Sequence, residues 1–279
     1  MADLREEMLD RWERMADGWK ANRAAFQRTA LPVSRWMVEA IRPQPGHRVL
    51  ELSAGLGDTG LLAAELVQPG GSVLITDGAE AMVEAARERA AEVGAANVEL
   101  RPMQAEWIDL PTASVDGALS RFGYMLLVDP EAALRETRRV LKPGGRVALA
   151  VWAPLEANPW TGVVRAAIAA VGAGAPPAPG EPGPFALSAP GAVEDVLATA
   201  GFDEIEVEGL DVQFEAPSLD AWWEYVLQTS PSVGDVVAGL SPAEHYKLRD
   251  AVDAGYAAYV RDDGSLLLPG RALVAAATA

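Results

Sequence analysis

The sequence predicts an α/β fold, a doubly wound and mostly parallel sheet with added helical segments. Three observations carry this. Between residues 48 and 152, short apolar runs of strand length alternate with amphipathic runs of helix length. The first run, Val49 to Leu52, breaks into a turn carrying Gly55, Gly57 and Gly60, and a helical pattern follows at once. Half of the 279 residues are hydrophobic, enough for one large core.

In chain order, residues 2–41 read as helical. Leu4, Met8, Leu9, Trp12, Met15 and Trp19 recur at helical spacing and form one apolar stripe. Pro32 predicts a break, with a second helix over about 34–41. Strands are expected at 48–53, 72–77, 97–101, 115–120 and 145–152, with helices over 59–67, 79–93 and 130–141 between them. Strands alternating with helices pair in parallel through right-handed crossovers. Beyond Trp152 the pattern loosens. A helix is expected over 160–171, a Gly/Ala/Pro-rich loop over 172–183 and a helix over 192–200. A strand follows at 204–214, largely helical chain over 220–259 with breaks near Pro231 and Pro242, and a last strand at 271–277. This divides the chain into an N-terminal helical lid, residues 1–42, and a sheet domain, residues 43–279, with insertions at about 153–190 and 217–262. No internal repeat is evident.

Composition excludes several functions. Forty acids against 23 Lys and Arg give a formal charge of −17, the wrong sign for a nucleic-acid phosphate track or an anionic membrane surface. There is no cysteine, hence no disulfide, thiol nucleophile or cysteine-held zinc or iron–sulfur site. Of the two histidines, His47 lies in a turn and His245 in a late helical stretch, so no metal site and no catalytic base is nominated. No apolar run of about 20 residues is present, and a cytoplasmic protein without nucleic-acid or membrane partners is expected. The sequence leaves the oligomeric state open, a homodimer included.

The glycine turn carries the chemistry. Strand, glycine-rich turn and helix bring bare backbone to a ligand and aim helix N–H groups at it. Gly55-x-Gly57-x-x-Gly60, with Asp77 about 20 residues on, matches a dinucleotide fingerprint. Glu51, however, would repel a pyrophosphate from the first strand.

Further pieces resolve this toward one family. Val49-Leu-Glu-Leu-Ser-Ala-Gly-Leu-Gly57 resembles the first motif of class I S-adenosylmethionine-dependent methyltransferases, and Thr76-Asp77-Gly-Ala-Glu-Ala-Met82 their second. Met103-Gln-Ala-Glu-Trp107 resembles their loop after the third strand, and Arg139-Val-Leu-Lys-Pro-Gly-Gly-Arg146 their turn before the fifth. Within the family, the ubiquinone/menaquinone-type small-molecule branch is the nearest in flavour. The resemblance implies a Rossmann-like sheet of seven strands with the last antiparallel, S-adenosyl-L-methionine as cofactor, S-adenosyl-L-homocysteine as its product and no metal. It also implies residue roles. Glu51 faces the methionine ammonium, and the backbone of Ser53, Ala54, Gly55 and Gly57 approaches the cofactor. Asp77 takes the ribose hydroxyls. Gly78 and Met82 flank the adenine, with Gln104 (where the family has Asp) and Ala105 on its edge. Ser120 and Arg121 follow the fourth strand, where the family's transferred methyl emerges, and count among the cofactor-binding residues; Arg121 either orients an acceptor or binds an internal acid. Ser53 stands where relatives often have the first glycine, and Glu106 reads as solvated.

The acceptor side is expected from the three added segments, with Trp19, Phe122, Tyr124, Trp160 and Trp222 as candidate lining. Aromatic content without basic patches implies a small aromatic or apolar, natural-product-like acceptor. Two other readings stand beside this one, a non-catalytic binder of the cofactor or its product and a nicotinamide-dependent oxidoreductase.

Overall fold

The computed structural model describes residues 2–173 and 181–279. One seven-stranded sheet organises it, in the order β3-β2-β1-β4-β5-β7-β6. The strands are β1 (Arg48–Glu51), β2 (Ser72–Asp77), β3 (Val98–Pro102), β4 (Val115–Arg121), β5 (Leu141–Trp152), β6 (Asp203–Ala216) and β7 (Leu266–Thr278). The first five pair in parallel, with Leu50 opposite Leu74 on one side and Ala118 on the other. Strand β7 is antiparallel to both of its neighbours. The central strand β1 is buried from Val49 to Glu51 without alternation, as a strand covered on both faces must be. Edge strand β6 alternates instead.

Helices α2 (Asp58–Leu66), α3 (Glu80–Glu92) and α4 (Pro130–Val140) fill the crossovers expected from the sequence. Helix α5 (Pro159–Ala170) falls in one added segment, α6 (Ala192–Thr199) precedes β6, and α7 (Leu219–Thr229), α8 (Pro231–Ala238) and α9 (Pro242–Tyr256) fall in another added segment. The chain breaks at Pro231 and Pro242 as expected, each proline opening a helix where its missing N–H costs nothing. The loop expected over 172–183 lies largely outside the described residues. No helix among those described is long and apolar enough to cross a membrane.

Two expectations are corrected. The N-terminal segment is a single 39-residue helix, α1 (Ala2–Ala40), which runs through Pro32. An interior proline costs about 3 kcal/mol. Here Ala30, Val33, Met37 and Val38 are each buried to within 3 % exposure in the main core, and that packing outweighs the local penalty. The last strand starts at Leu266, five residues early, and contains Pro269 and Gly270. Pairing with β5 begins only at Ala272, so Pro269 sits where β7 has a single neighbour, a position that tolerates proline.

Candidate functional site

The C-terminal ends of β1, β2 and β4 meet at the glycine turn. Two residues there, Ser53 (φ 49°) and Phe122 (φ 61°), hold left-handed backbone without being glycine. Such strain costs about 1–3 kcal/mol and persists only where surroundings enforce it, which happens most often at functional sites. Gly55 and Gly57 take the same region without cost. Glu51 is 1 % exposed, and its Oε2 accepts the Gly60 N–H at 2.8 Å. A Cβ on Gly60 would stand 2.4 Å from that oxygen, so only glycine opens α2 against this carboxyl. Burial pushes the Glu51 carboxyl up to about 8, against the pull of Arg121 and the Gly60 N–H.

Asp77 closes β2. Its Oδ2 accepts the Gly55 N–H at 2.8 Å and its Oδ1 the Ala79 N–H at 3.0 Å. Burial raises its pKa and these N–H groups oppose the rise. Asp77 therefore ties the glycine turn to the start of α3. Ser120, 1 % exposed, is the penultimate residue of β4, beside this turn, and Ala54 donates its N–H to the Thr76 carbonyl at 2.9 Å.

A buried polar cluster joins these ends to α1. Arg121 Nη1 donates to Gln27 Oε1 at 3.2 Å and to Ser34 Oγ at 2.8 Å, and Ser34 shares a hydrogen bond with Thr59. Arg23 pairs with buried Asp58 at 2.8 Å. The Arg121 guanidinium lies 5.3 Å from the Phe26 ring centre, and burial lowers its pKa. Sequence reasoning missed Arg23, Phe26, Gln27, Ser34 and Asp58. Phe26 was within reach, because Trp12, Trp19 and Phe26 follow one another at seven-residue spacing along α1.

The first half of α1 lies over the β2–α3 turn. Trp12, Ala16 and Trp19 pack with Leu56, Ala79 and Met82. Leu9 comes within 2.7 Å of where a Cβ on Gly78 would be, and Gln104 flanks the same spot. Glu13 accepts the N–H groups of Glu80 and Ala81 at 2.6 and 2.9 Å, capping α3 from another helix. Glu106, expected in solvent, is instead 7 % exposed and bonded to Arg5 at 3.2 Å, with Ala105 buried beside it.

Aromatic rings continue from Trp19. Phe26 lies 4.8 Å from it edge-on and 6.2 Å from Phe122, and Phe122 stacks on Trp152 at 4.1 Å. Trp152 leads to Trp160 at 4.9 Å, and Phe214 links Trp160 to Trp222 at 4.9 and 5.6 Å. Four of the five aromatic candidates thus fall in one chain of rings, with Trp222 buried toward its far side, where Tyr225 stacks on it at 5.0 Å. Tyr124 does not join them; it is 1 % exposed, with its hydroxyl bonded to Thr137 at 2.7 Å against α4. His47 accepts from Gln44 in the turn before β1, at the opposite end of that strand, and His245 is exposed on α9.

The strand order, the glycine turn and the two strand-end carboxyls define a Rossmann-like protein built to hold a nucleoside cofactor at the C-terminal edge of its sheet. The "methyltransferase domain" family model matches residues 52–149. Nocamycin O-methyltransferase of Saccharothrix syringae is 34 % identical over 219 residues, 75 % of this chain and 77 % of that protein. The ubiquinone/menaquinone biosynthesis C-methyltransferase UbiE of Cellvibrio japonicus is 34 % identical over 114 residues, 40 % of this chain and 46 % of that protein. The crystal structure of the YcgJ protein from Bacillus subtilis superposes with a TM-score of 0.61 at 19 % identity, covering 89 % of this chain and 98 % of that one. The chain belongs to the class I S-adenosylmethionine-dependent methyltransferases. The oxidoreductase alternative drops out with that membership.

Proposed function

We propose that the protein transfers a methyl group from S-adenosyl-L-methionine to a small acceptor with an aromatic or apolar body. One observation carries the cofactor half of this reading. Glu51, buried, and Asp77, half-buried, are carboxyls whose hydrogen bonds go to backbone N–H groups of the glycine turn and the helix starts beside it. Asp77 has about four acceptor sites and uses two, which leaves one on each oxygen for a ribose diol. Glu51 suits an ammonium, whose charge offsets the cost of ionising it in that position. A Cβ on Gly55 would meet nothing within 4 Å, so the turn offers open space for a ligand. The residues present fit the group.

In this reading Glu51 holds the methionine ammonium and the backbone of Ser53, Ala54, Gly55 and Gly57 lies along the ligand. Asp77 binds the ribose, and Gly78, Met82, Gln104 and Ala105 enclose the adenine. The bound cofactor supplies a methyl already activated by the sulfonium; the chain contributes alignment and exclusion of water. Leu9 and Glu13 sit over the adenine and ribose positions. Residues 2–20 or so of α1 therefore act as a lid that shifts to admit the ligand. The ring series from Trp19 to Trp160 forms the acceptor wall.

Calorimetric titration with S-adenosyl-L-homocysteine, with NADH in parallel, tests the reading. Micromolar binding of the first alone is expected. Binding of NADH alone, or of neither, defeats it.

A further inference from the structure

The half-buried guanidinium of Arg121 is provided with no acid of its own. Among the described residues its hydrogen-bond partners are the neutral Gln27 and Ser34, and no carboxylate lies within 4.0 Å. Withdrawing a charge from water without a counter-ion costs free energy. The neighbouring acids are committed elsewhere. Asp58 pairs with Arg23, and Glu51 accepts the Gly60 N–H and faces the methionine ammonium in the proposed reading. The same guanidinium rests on Phe26, where the ring series toward Phe122 and Trp152 begins.

We propose that Arg121 anchors an anionic oxygen of the methyl acceptor, so that the acceptor is an acidic O–H compound, a carboxylic acid in the simplest case, carried on an aromatic or apolar body. This deepens the methyl-transfer reading and rests on it. Three observations converge. The unpaired cation matches an oxyanion through charge-assisted hydrogen bonds. The adjoining rings match the body. Lastly, no side chain facing Arg121 is free to act as a base. His47 is at the far end of β1, His245 is exposed, Tyr124 is bonded to Thr137 and Tyr256 to the Trp160 carbonyl. An acceptor that enters ionised needs no base. Its oxygen lone pair forms the O–C bond while the pair of the breaking C–S bond stays on sulfur, and no proton moves in the step. Trp19 Nε1, buried without a hydrogen-bond partner, stands between the glycine-turn cluster and Phe26 as a second donor for such a ligand.

The test is equilibrium binding to protein saturated with S-adenosyl-L-homocysteine, using acids and their amides: benzoate with benzamide, 2-naphthoate with 2-naphthamide, indole-3-acetate with indole-3-acetamide. At least one acid should bind about tenfold or more tightly than its amide. Arg121→Gln should erase that preference and Arg121→Lys keep part of it, while affinity for S-adenosyl-L-homocysteine changes by less than about threefold. Acids that bind no better than their amides in every pair overturn the proposal. So does an Arg121→Gln protein that loses S-adenosyl-L-homocysteine binding about tenfold or more, since the guanidinium would then hold the cofactor's own carboxylate. If Arg121→Gln does not fold, the wild-type comparison decides alone. Wild-type binding of S-adenosyl-L-homocysteine without acid preference defeats this inference only; no binding defeats the methyl-transfer reading as well.

Discussion

Over β1 and β2 the sheet edge is lined by backbone donors and two carboxyls. Over β4 and β5 it is lined by rings and one guanidinium. The first half is assembled from residues close together in sequence. Glu51 reaches Gly60, and Asp77 reaches Gly55 and Ala79. The second half draws Phe26, Phe122, Trp152, Trp160 and Phe214 from five separate elements. Backbone geometry fixes the first half, so a single methyl group in the wrong place should break it. Packing fixes the second, where related side chains can substitute for one another.

The largest effect is expected at Gly60. Gly60→Ala places a Cβ 2.4 Å from Glu51 Oε2 and 2.9 Å from Ile75 Cγ1, both fully buried and unable to retreat. Overpacking of this kind costs about 1–3 kcal/mol. Alanine returns about 1 kcal/mol of helix propensity, so the net loss should be visible as a lower melting temperature together with weakened S-adenosyl-L-homocysteine binding. A variant that melts and binds like the parent would mean the α2 start is looser than its geometry indicates.

Asp77→Ala comes next. It removes the proposed ribose acceptors and leaves the Gly55 and Ala79 N–H groups without partners. Affinity for S-adenosyl-L-homocysteine should fall by about 1–3 kcal/mol by calorimetry. An unchanged Kd would place the nucleoside elsewhere and collapse the distinction between the two halves.

That contrast also explains what could be read from the sequence. The order and identity of β1 to β5 and the placing of Glu51 and Asp77 at the strand ends beside the glycine turn were legible from short-range pattern and motifs a few residues long, and the antiparallel last strand through the family resemblance those motifs carry. The acceptor half was legible only as a list of aromatic residues. Nothing local distinguishes Trp160, which joins the ring series, from Tyr124, which bonds Thr137 in the core. Glu106 was misread because its partner Arg5 lies 101 residues away. Pro32 was misread because the packing of Val33 and Met37 overrides the local rule. The Arg139 motif marked the right turn, but its function is structural. The guanidinium grips Glu136 at 2.7 Å and the carbonyls of Ile108 and Leu110 at 2.7 and 2.8 Å, tying α4 to the loop before β4.

A titration should probe the same half at intermediate strength. The folded Glu51 carboxyl is raised to about 8 from 4.5. Between those values the folded chain binds the proton and the unfolded chain does not, so stability falls as pH rises through this window. Burial of Asp77 acts in the same direction. Glu51→Gln should flatten the dependence of melting temperature on pH between about 5 and 8. At pH 7 the ammonium of S-adenosyl-L-homocysteine should drive a proton off Glu51. Its binding enthalpy should therefore vary with the ionisation enthalpy of the buffer in the parent and not in the variant. A parent protein indifferent to buffer would show that Glu51 is already ionised or is not the ammonium's partner.

The smallest effect is expected at Ser53, and its sign is what matters. The left-handed backbone there costs a non-glycine residue about 1–2 kcal/mol. Glycine relieves that strain but gives back about 0.4–1 kcal/mol through the freer unfolded chain. Ser53→Gly should therefore stabilise the protein by about 1 kcal/mol or less, read from denaturant midpoints at constant slope. The strain sits beside Ala54 and Gly55, on the backbone face offered to the ligand, so binding should change little if the turn already holds its bound shape. Destabilisation would mean that the serine hydroxyl does work in the turn beyond occupying a glycine position. Stabilisation with weakened binding would mean that the strain itself keeps the turn ready for ligand, and the backbone half of the site would then depend on a side chain after all.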